Sequence, residues 1–199
     1  MPYLQRAPTA AQLHQIELYL NLLIKWNVKI NLTAIRDPDE IVRRHFGESV
    51  FAGEQLELEN ASTLIDLGSG AGFPGLPVKL LAPHLEVTLI ESQQKKVAFL
   101  REVIRGLALQ KTTVFPGRAE VSKLKAQIVT MRAVEKFESM LPVAATLVEP
   151  DGRIALLIGE AQGKTARELL AGFSWREPIA IPESEARILL IGKSNSSHG

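Results

Sequence analysis

Residues 64–75 read LIDLGSGAGFPG. A short apolar run ends on an acid, Asp66, and opens into alternate glycines, Gly68, Gly70 and Gly72. The run has the pattern of a buried strand. Glycines at alternate positions let the backbone turn tightly and let a ligand approach with no Cβ in its way. Ligands of open α/β sheets bind beyond the carboxyl ends of strands. The stretch therefore marks a candidate ligand site at a strand tip.

The next strand, EVTLIE (86–91), ends on Glu91. An acid about 20 residues beyond such a loop accepts hydrogen bonds from ribose hydroxyls. Gly70-x-Gly72-x-x-Gly75 formally matches a dinucleotide fingerprint. A pyrophosphate, however, wants backbone N–H groups and a helix N-terminus, and the carboxylate of Asp66 opposes it. S-adenosylmethionine has no phosphate and carries a sulfonium and an ammonium, which suit Asp66 through water or backbone positioning. The loop thus favours S-adenosylmethionine. A nicotinamide or flavin dinucleotide is the competitor, and a ligand-free glycine turn is the plain alternative. Phe73 either packs beside the methionine part of the ligand or staples the following helix to the sheet. Pro74 suits the first position of that helix. After the third strand, in FPGRAE (115–120), a backbone N–H of Ala119 or Glu120 is placed to read adenine; alternatively Glu120 opens a helix and complements its dipole.

Outward from the loop, strands and helices alternate. VKLLA (78–82), QQKKVAFLREVIRGLAL (93–109), FESMLPVAATLV (137–148) and GKTARELLAGF (163–173) read as helices. TTVF (112–115), QIVTMRA (127–133), RIALLIG (153–159), REPIAI (176–181) and ARILLIG (186–192) read as strands. Alternation implies parallel pairing through crossovers, while the short last connection implies an antiparallel pair. The expected fold is α/β, a mostly parallel seven-stranded sheet with an antiparallel C-terminal hairpin. Before it, TAAQLHQIELYLNLLIKW (9–26) carries a capping box at Thr9 and Gln12. DPDEIVRRHF (37–46) offers Asp37 as cap, Pro38 at the first position and Glu40 to close a second box. We expect a helical extension over 1–60, a catalytic domain over 61–193 and a mobile tail over 194–199.

Hydrophobic residues make up 46% of the 199 residues, enough for a sizeable core. There is no cysteine, which excludes disulfides, thiolate nucleophiles and cysteine-based zinc sites and fits a cytoplasmic protein. No apolar stretch approaches the ~20 residues a bilayer needs, so no membrane role is expected. The four histidines lack metal-ligand spacing, and no metal is expected. Net charge is +1, but residues 61–130 hold nine Lys/Arg against five Asp/Glu. Arg43, Arg44, Lys95, Lys96, Arg101 and Arg105 form basic clusters suited to phosphates, or else solvated helix faces.

Several segments together resemble the 16S ribosomal RNA guanine-N7 methyltransferases, the glucose-inhibited division protein B family. KWNVKINLTAIRDPDEIVRRHFGES (25–49) is similar to that family's N-terminal signature. LIDLGSGAGFPGLP (64–77), ESQQKKVAFLREV (91–103), TMRA (130–133) and ARILLIGK (186–193) follow in order. The resemblance spans residues 20–193 and implies a Rossmann-like methyltransferase fold. It implies a donor site with Gly68, Phe73, Ala119 and Glu120, and assigns Arg132 to the donor and substrate region. His45, Arg118 and Lys95 fall on matching positions with less definite roles; His45 either touches RNA or packs. It further implies transfer to guanine N7 of 16S rRNA within the assembled small subunit; the sequence carries no sign of an oligomer, and a monomer is the default expectation. Gln127, Met131 and Ile158 depart from the family's usual acid, serine and lysine. The competing readings are a small-molecule or protein methyltransferase and a non-catalytic ribosome-assembly RNA binder.

Overall fold

In the computed structural model, which describes Tyr3, residues 7–134 and residues 136–195, the glycine loop leaves the middle of one sheet. Its strands are β1 (Thr63–Leu67), β2 (Glu86–Ile90), β3 (Thr112–Phe115), β4 (Ala126–Arg132), β5 (Val148–Gly159), β6 (Phe173–Trp175), β7 (Ile179–Ala180) and β8 (Arg187–Ser194). They lie in the order β3-β2-β1-β4-β5-β8-β6, with β7 also on β8. The first five pair in parallel, and β8 runs antiparallel to β5, β6 and β7. Strand order reverses between β1 and β4. That switch point opens a crevice at their carboxyl ends, where the glycine loop emerges.

The mostly parallel sheet with antiparallel C-terminal strands is the architecture the alternation implies. Among the described residues the sheet has eight strands rather than the expected seven, and β5 begins at Val148 rather than at Arg153. Residues 176–181 read as a single strand, but pairing stops at Trp175 and resumes only over Ile179–Ala180. Pro178 and Pro182 flank the short piece and lack the N–H a ladder needs. At the end of the chain Ser194 still belongs to β8. Residues 196–199 of the expected tail lie outside the described residues.

The helix α1 (Ala10–Ile30) starts on the expected box: Gln12 N–H donates to Thr9 Oγ1 (3.2 Å) and Thr9 N–H to Gln12 Oε1 (2.9 Å). Next, α2 (Pro38–Ile41) is capped by Asp37, which accepts from Glu40 N–H at 2.8 Å. Glu40 faces Arg44 Nη1 at 3.5 Å. The chain then widens into a π-helical turn, Val42–Gly47, before resuming as α3 (Glu48–Glu54). Ile41, Phe46 and Val50 are all buried. The five-residue step from Ile41 to Phe46 keeps both on the core side because a π turn takes one more residue than an α turn.

α4 (Gly75–Leu81) and α5 (Gln94–Gly106) join α1 and α3 on one face of the sheet, over Leu64, Leu89, Ile128 and Leu157. α6 (Phe137–Thr146) and α7 (Gln162–Leu169) cover the other, over Ile65, Leu67, Val129 and Leu156. Alternate residues of each strand feed opposite cores, as the pleat requires. Asp66 thus points to the α4 side.

The loop's glycines are not equivalent. Gly72 has φ +90, and a Cβ there would strike Tyr19 Oη and lie 2.6 Å from Leu76 Cδ1. Gly70 has φ +58, with only Gly68 O nearby at 3.8 Å. Urea unfolding should show Gly72→Ala losing about 2–4 kcal/mol from overpacking plus backbone strain. Gly70→Ala should lose about 1 kcal/mol from strain alone. Equal losses would contradict this packing.

Candidate active site

Asp66 is fully buried at the end of β1. Its Oδ2 accepts from Gly75 N–H (3.2 Å), at the start of α4, and its Oδ1 from Thr130 Oγ1 on β4 (2.7 Å). Ser69 Oγ donates to the carbonyl of Asp66 at 2.9 Å. The N–H groups of Gly68 and Ser69 both donate to Ile90 O at 3.0 Å, which pins the loop to the end of β2. Gly70 N–H then reaches Glu91 Oε2 at 3.0 Å, while Glu91 Oε1 accepts from Gln93 N–H at 2.7 Å.

These bonds leave a particular surface. Gly68 is exposed and Gly70 half-buried, whereas Ser69 and Ala71 through Leu80 are buried. The opening is therefore bare backbone at φ +68 and +58, beside a carboxylate with two of about four acceptor sites still unused. Ala119, buried after β3, shares a core with Ile90, and Glu120 beside it is exposed. Gly68, Gly70, Glu91, Ala119 and Glu120 thus belong to neighbouring strand tips. That set can hold a nucleoside with a ribose diol and a cationic side chain.

Gly72 and Phe73 lie behind the loop instead. Tyr19 on α1 donates from its hydroxyl to Ala71 O. Its ring stacks on Phe73 (centroids 5.3 Å, 5° between planes), and Phe73 stacks in turn on His45 (5.0 Å, 24°). Phe73 is 7% exposed and joins the N-terminal helices to the loop. Asp66 likewise acts by positioning backbone.

Arg132, at the end of β4, also turns inward. Its Nη2 donates to Arg44 O (3.0 Å), and its Nη1 to His45 O (3.5 Å). Nη2 also lies 3.3 Å from His45 Nδ1 and 3.0 Å from Glu48 Oε2. The π turn presents these carbonyls to it. Because Arg132 donates to Nδ1, the neutral His45 carries its proton on Nε2 and donates to Thr33 Oγ1 at 2.7 Å. Burial first, then the charges of Arg132, Arg44 and Arg187, push the His45 pKa down to about 3. His45 is thus an uncharged ring at neutral pH, half-buried against Phe73 and on the lining of the cleft between the N-terminal helices and β4.

Glu48 and Arg187 escaped the sequence reading. Glu48, 1% exposed, forms ion pairs with Arg132 Nη2 at 3.0 Å through Oε2, which accepts no hydrogen bond among the described residues, and with Arg187 Nη2 at 2.5 Å through Oε1. The signal was present: Glu48 sits in HFGES and Arg187 in ARILLIG. Together with Arg44, Phe137 and Ile158 they line a cleft of about 310 Å³ at the ends of β4 and β5. Of the unusual residues, Gln127 accepts from Ser62 N–H at 2.6 Å, a task an acid would also perform. Met131 is buried in the core, and Ile158 makes part of the cleft wall apolar.

Arg43, Lys95, Arg101, Arg105 and Arg118 are exposed, and Arg44 and Lys96 half-buried. Among the described residues no group of acids and histidines could hold a metal ion, and no helix is long and apolar enough to cross a membrane.

Comparison with known proteins places this geometry. The sequence model of the GidB family, rRNA small subunit methyltransferase G, matches residues 12–183. A ribosomal RNA small subunit methyltransferase G from Roseiflexus sp. (strain RS-1) is 41% identical over 194 residues, covering 90% of this chain and 82% of that protein. One from Bacillus subtilis (strain 168) is 36% identical over 199 residues, covering 92% and 82%. Among solved structures, a SAM-dependent methyltransferase from Aquifex aeolicus is similar with TM-score 0.64 at 14% identity, over 82% of this chain and 96% of that one. A ribosomal protein L11 methylase from Lactobacillus delbrueckii subsp. bulgaricus gives TM-score 0.65 at 13% identity, over 76% and 79%. The two structures share the fold.

Asp66 gives the site a pH signature. Burial pushes its carboxyl from 3.8 up to about 6, against the bonds from Thr130 and Gly75 and the charge of Arg132. A folded-state pKa above the unfolded one means the folded chain holds the proton more tightly. The stability from this group is complete below the unfolded value and is lost as pH rises through about 6. Urea unfolding of the wild type and Asp66→Asn should therefore converge with pH. Their difference, wild type minus variant, should fall by up to about 3 kcal/mol between about pH 4 and pH 7. A difference that grows with pH would reverse the assignment.

Proposed function

The chain belongs to the GidB family, rRNA small subunit methyltransferase G, whose members are S-adenosylmethionine-dependent enzymes, and we propose that it methylates N7 of a guanine in 16S rRNA. The observation that carries this reading is the opening at the tips of β1 and β2. There the bare backbone of Gly68 and Gly70 stands beside a carboxylate, Glu91, fixed by two N–H bonds. In this reading Gly68 and Gly70 border the methionine part, Glu91 holds the ribose hydroxyls, and Ala119 and Glu120 meet the adenine. Asp66 keeps the loop in place.

S-adenosylmethionine supplies an electrophilic methyl group on a sulfonium. Guanine N7 offers an exposed lone pair that is unprotonated at neutral pH, so the protein supplies no general base. Its task is alignment. The base becomes cationic as the methyl arrives, and surrounding charge then matters. His45, held neutral by burial, adds no positive charge to the cleft. Glu48 offsets one of the two arginines that meet it.

Substrate grip falls to the exposed cations. Lys95 and Lys96 stand in the first turn of α5, which holds no acid. A cation there works against the helix dipole, so its benefit lies outside the fold, and an RNA phosphate fits. We assign the reaction to the assembled small subunit, carried out in the cytoplasm by a monomer, with residues 1–60 acting as an extension of the catalytic domain.

Mapping N7-methylguanine along small-subunit RNA, with and without the protein, should reveal one added site. Glu91→Ala should weaken S-adenosylmethionine binding at least tenfold, about 1.4 kcal/mol, by calorimetry, with unchanged circular dichroism. A methyl group on another atom, or undiminished donor binding, contradicts the corresponding assignment.

A further inference from the structure

Arg187 differs from Arg132 in what remains of its donors. A guanidinium has five N–H groups. Arg132 is 11% exposed, with backbone carbonyls, His45 and Glu48 around it. Arg187 is 25% exposed, and among the described residues its side chain has one ion-pair partner, Glu48. Glu48, 1% exposed, fixes one edge of Arg187, and among the described residues no other side chain pairs with it. The preceding residue, Ala186, is held at φ +51, a conformation that costs an alanine about 1 kcal/mol. Ala186 O accepts from Glu160 N–H (2.8 Å), and Arg187 O from Ile181 N–H (3.0 Å).

Arg187 also borders two cavities. One is the cleft of about 310 Å³ at the ends of β4 and β5. The other is a groove of about 700 Å³ between α7 and the β7–β8 connection, lined among others by Lys164, Arg167, Glu160, Glu168 and Ile188. Arg187 is the residue common to both linings that carries a charge. Lys164 is 85% exposed, with Glu168 at 3.7 Å, and an exposed pair of this kind holds its partners weakly. Arg167 is exposed too, with Nη2 3.4 Å from Arg176 O. Three cations therefore line the groove, against two acids, and one of the three, Arg187, also borders the cleft.

We propose that this groove seats the phosphodiester backbone of the rRNA strand next to the target nucleotide, with Arg187 clamping a phosphate where the strand turns into the cleft. The inference rests on the reading of the chain as an rRNA methyltransferase. Its support is that Arg187 borders both cavities and that Lys164 and Arg167 stand along the groove. Sequence-specific RNA reading works on unstacked single strands, and a base displaced into the cleft must draw its own backbone past the cleft's edge.

The test uses the full chain, isolated small subunits that lack the modification, and labelled methyl donor, at a series of salt concentrations. Lys164→Gln with Arg167→Gln leaves the buried cluster and the donor opening untouched. This double variant should raise KM for the subunit about tenfold while the Kd for S-adenosylmethionine stays constant. The slope of log KM against log salt should flatten by about 1.4, at ~0.7 for each single-strand phosphate that is no longer neutralised. Arg187→Gln should flatten it by about 0.7, whatever it does to the melting temperature. Unchanged KM and slope in the double variant would overturn the groove. A slowed Arg187→Gln with an unchanged slope would overturn the phosphate clamp. A wild-type protein that methylates no rRNA would instead defeat the underlying reading, a result visible before any variant is made.

Discussion

One buried carboxylate holds the site together. Asp66 is the penultimate residue of β1, accepts from the first N–H of α4 and is tied to Thr130 on β4. Three elements meet on it at the switch point of the sheet. The approach is close enough that Gly75 must be glycine: a Cβ there would lie 2.7 Å from Asp66 Cβ. With both ends of residues 68–74 fixed on one side chain, the loop has no room to spread. Its backbone must bulge toward the crevice, and glycines at positive φ make that bulge possible. The desolvation of Asp66 opposes this arrangement, and its hydrogen bonds and the start of α4 offset part of it.

The N-terminal helices are part of the same construction. Tyr19 on α1 bonds the carbonyl of Ala71 and stacks on Phe73, Phe73 stacks on His45, and His45 bonds Arg132. This series runs from α1 through the loop and the π turn to the end of β4. Buried aromatic contacts have specific geometry, so α1 cannot shift without disturbing the back of the loop. The π turn matters here because it turns the carbonyls of Arg44 and His45 toward the Arg132 guanidinium.

What the sequence made legible was what depends on neighbours in the chain. Alternating strand and helix patterns, the Thr9 and Asp37 caps and the spacing of Gly68, Gly70 and Glu91 are all local chemistry. The split at residues 176–181 was written in Pro178 and Pro182, and the π turn in the five-residue step from Ile41 to Phe46. Both signals are visible once one asks which N–H groups exist and which spacing an α-helix would allow. The environments of His45 and Arg132 were not legible. Each depends on a partner brought up by tertiary packing, Thr33 and Glu48 respectively, and no pattern around either residue announces it. Spacing alone left open whether Gly72 and Phe73 face the ligand or pack, because they share the loop with Gly68 and Gly70. Which side of a loop faces the core is decided by α1, far away in sequence.

The buried Glu48 is a second carboxylate taken out of water near the site, and its partners are informative. A carboxylate taken out of water with its arginines is often no more stabilising than apolar residues of the same volume. Stability alone therefore gives little reason to keep it. Orientation gives one, because a single carboxylate fixes two guanidiniums from different strands. Arg132 comes from β4 and Arg187 from β8, and Glu48 itself opens α3. The two arginines then diverge in role. Arg132 closes the π turn against the sheet and is consumed by that task, while Arg187, at the cleft's edge, has Glu48 as its one side-chain partner among the described residues. In the proposed reading this division is useful: Arg187 would meet the RNA backbone, while His45 and Glu48 line the cleft proposed to receive the base.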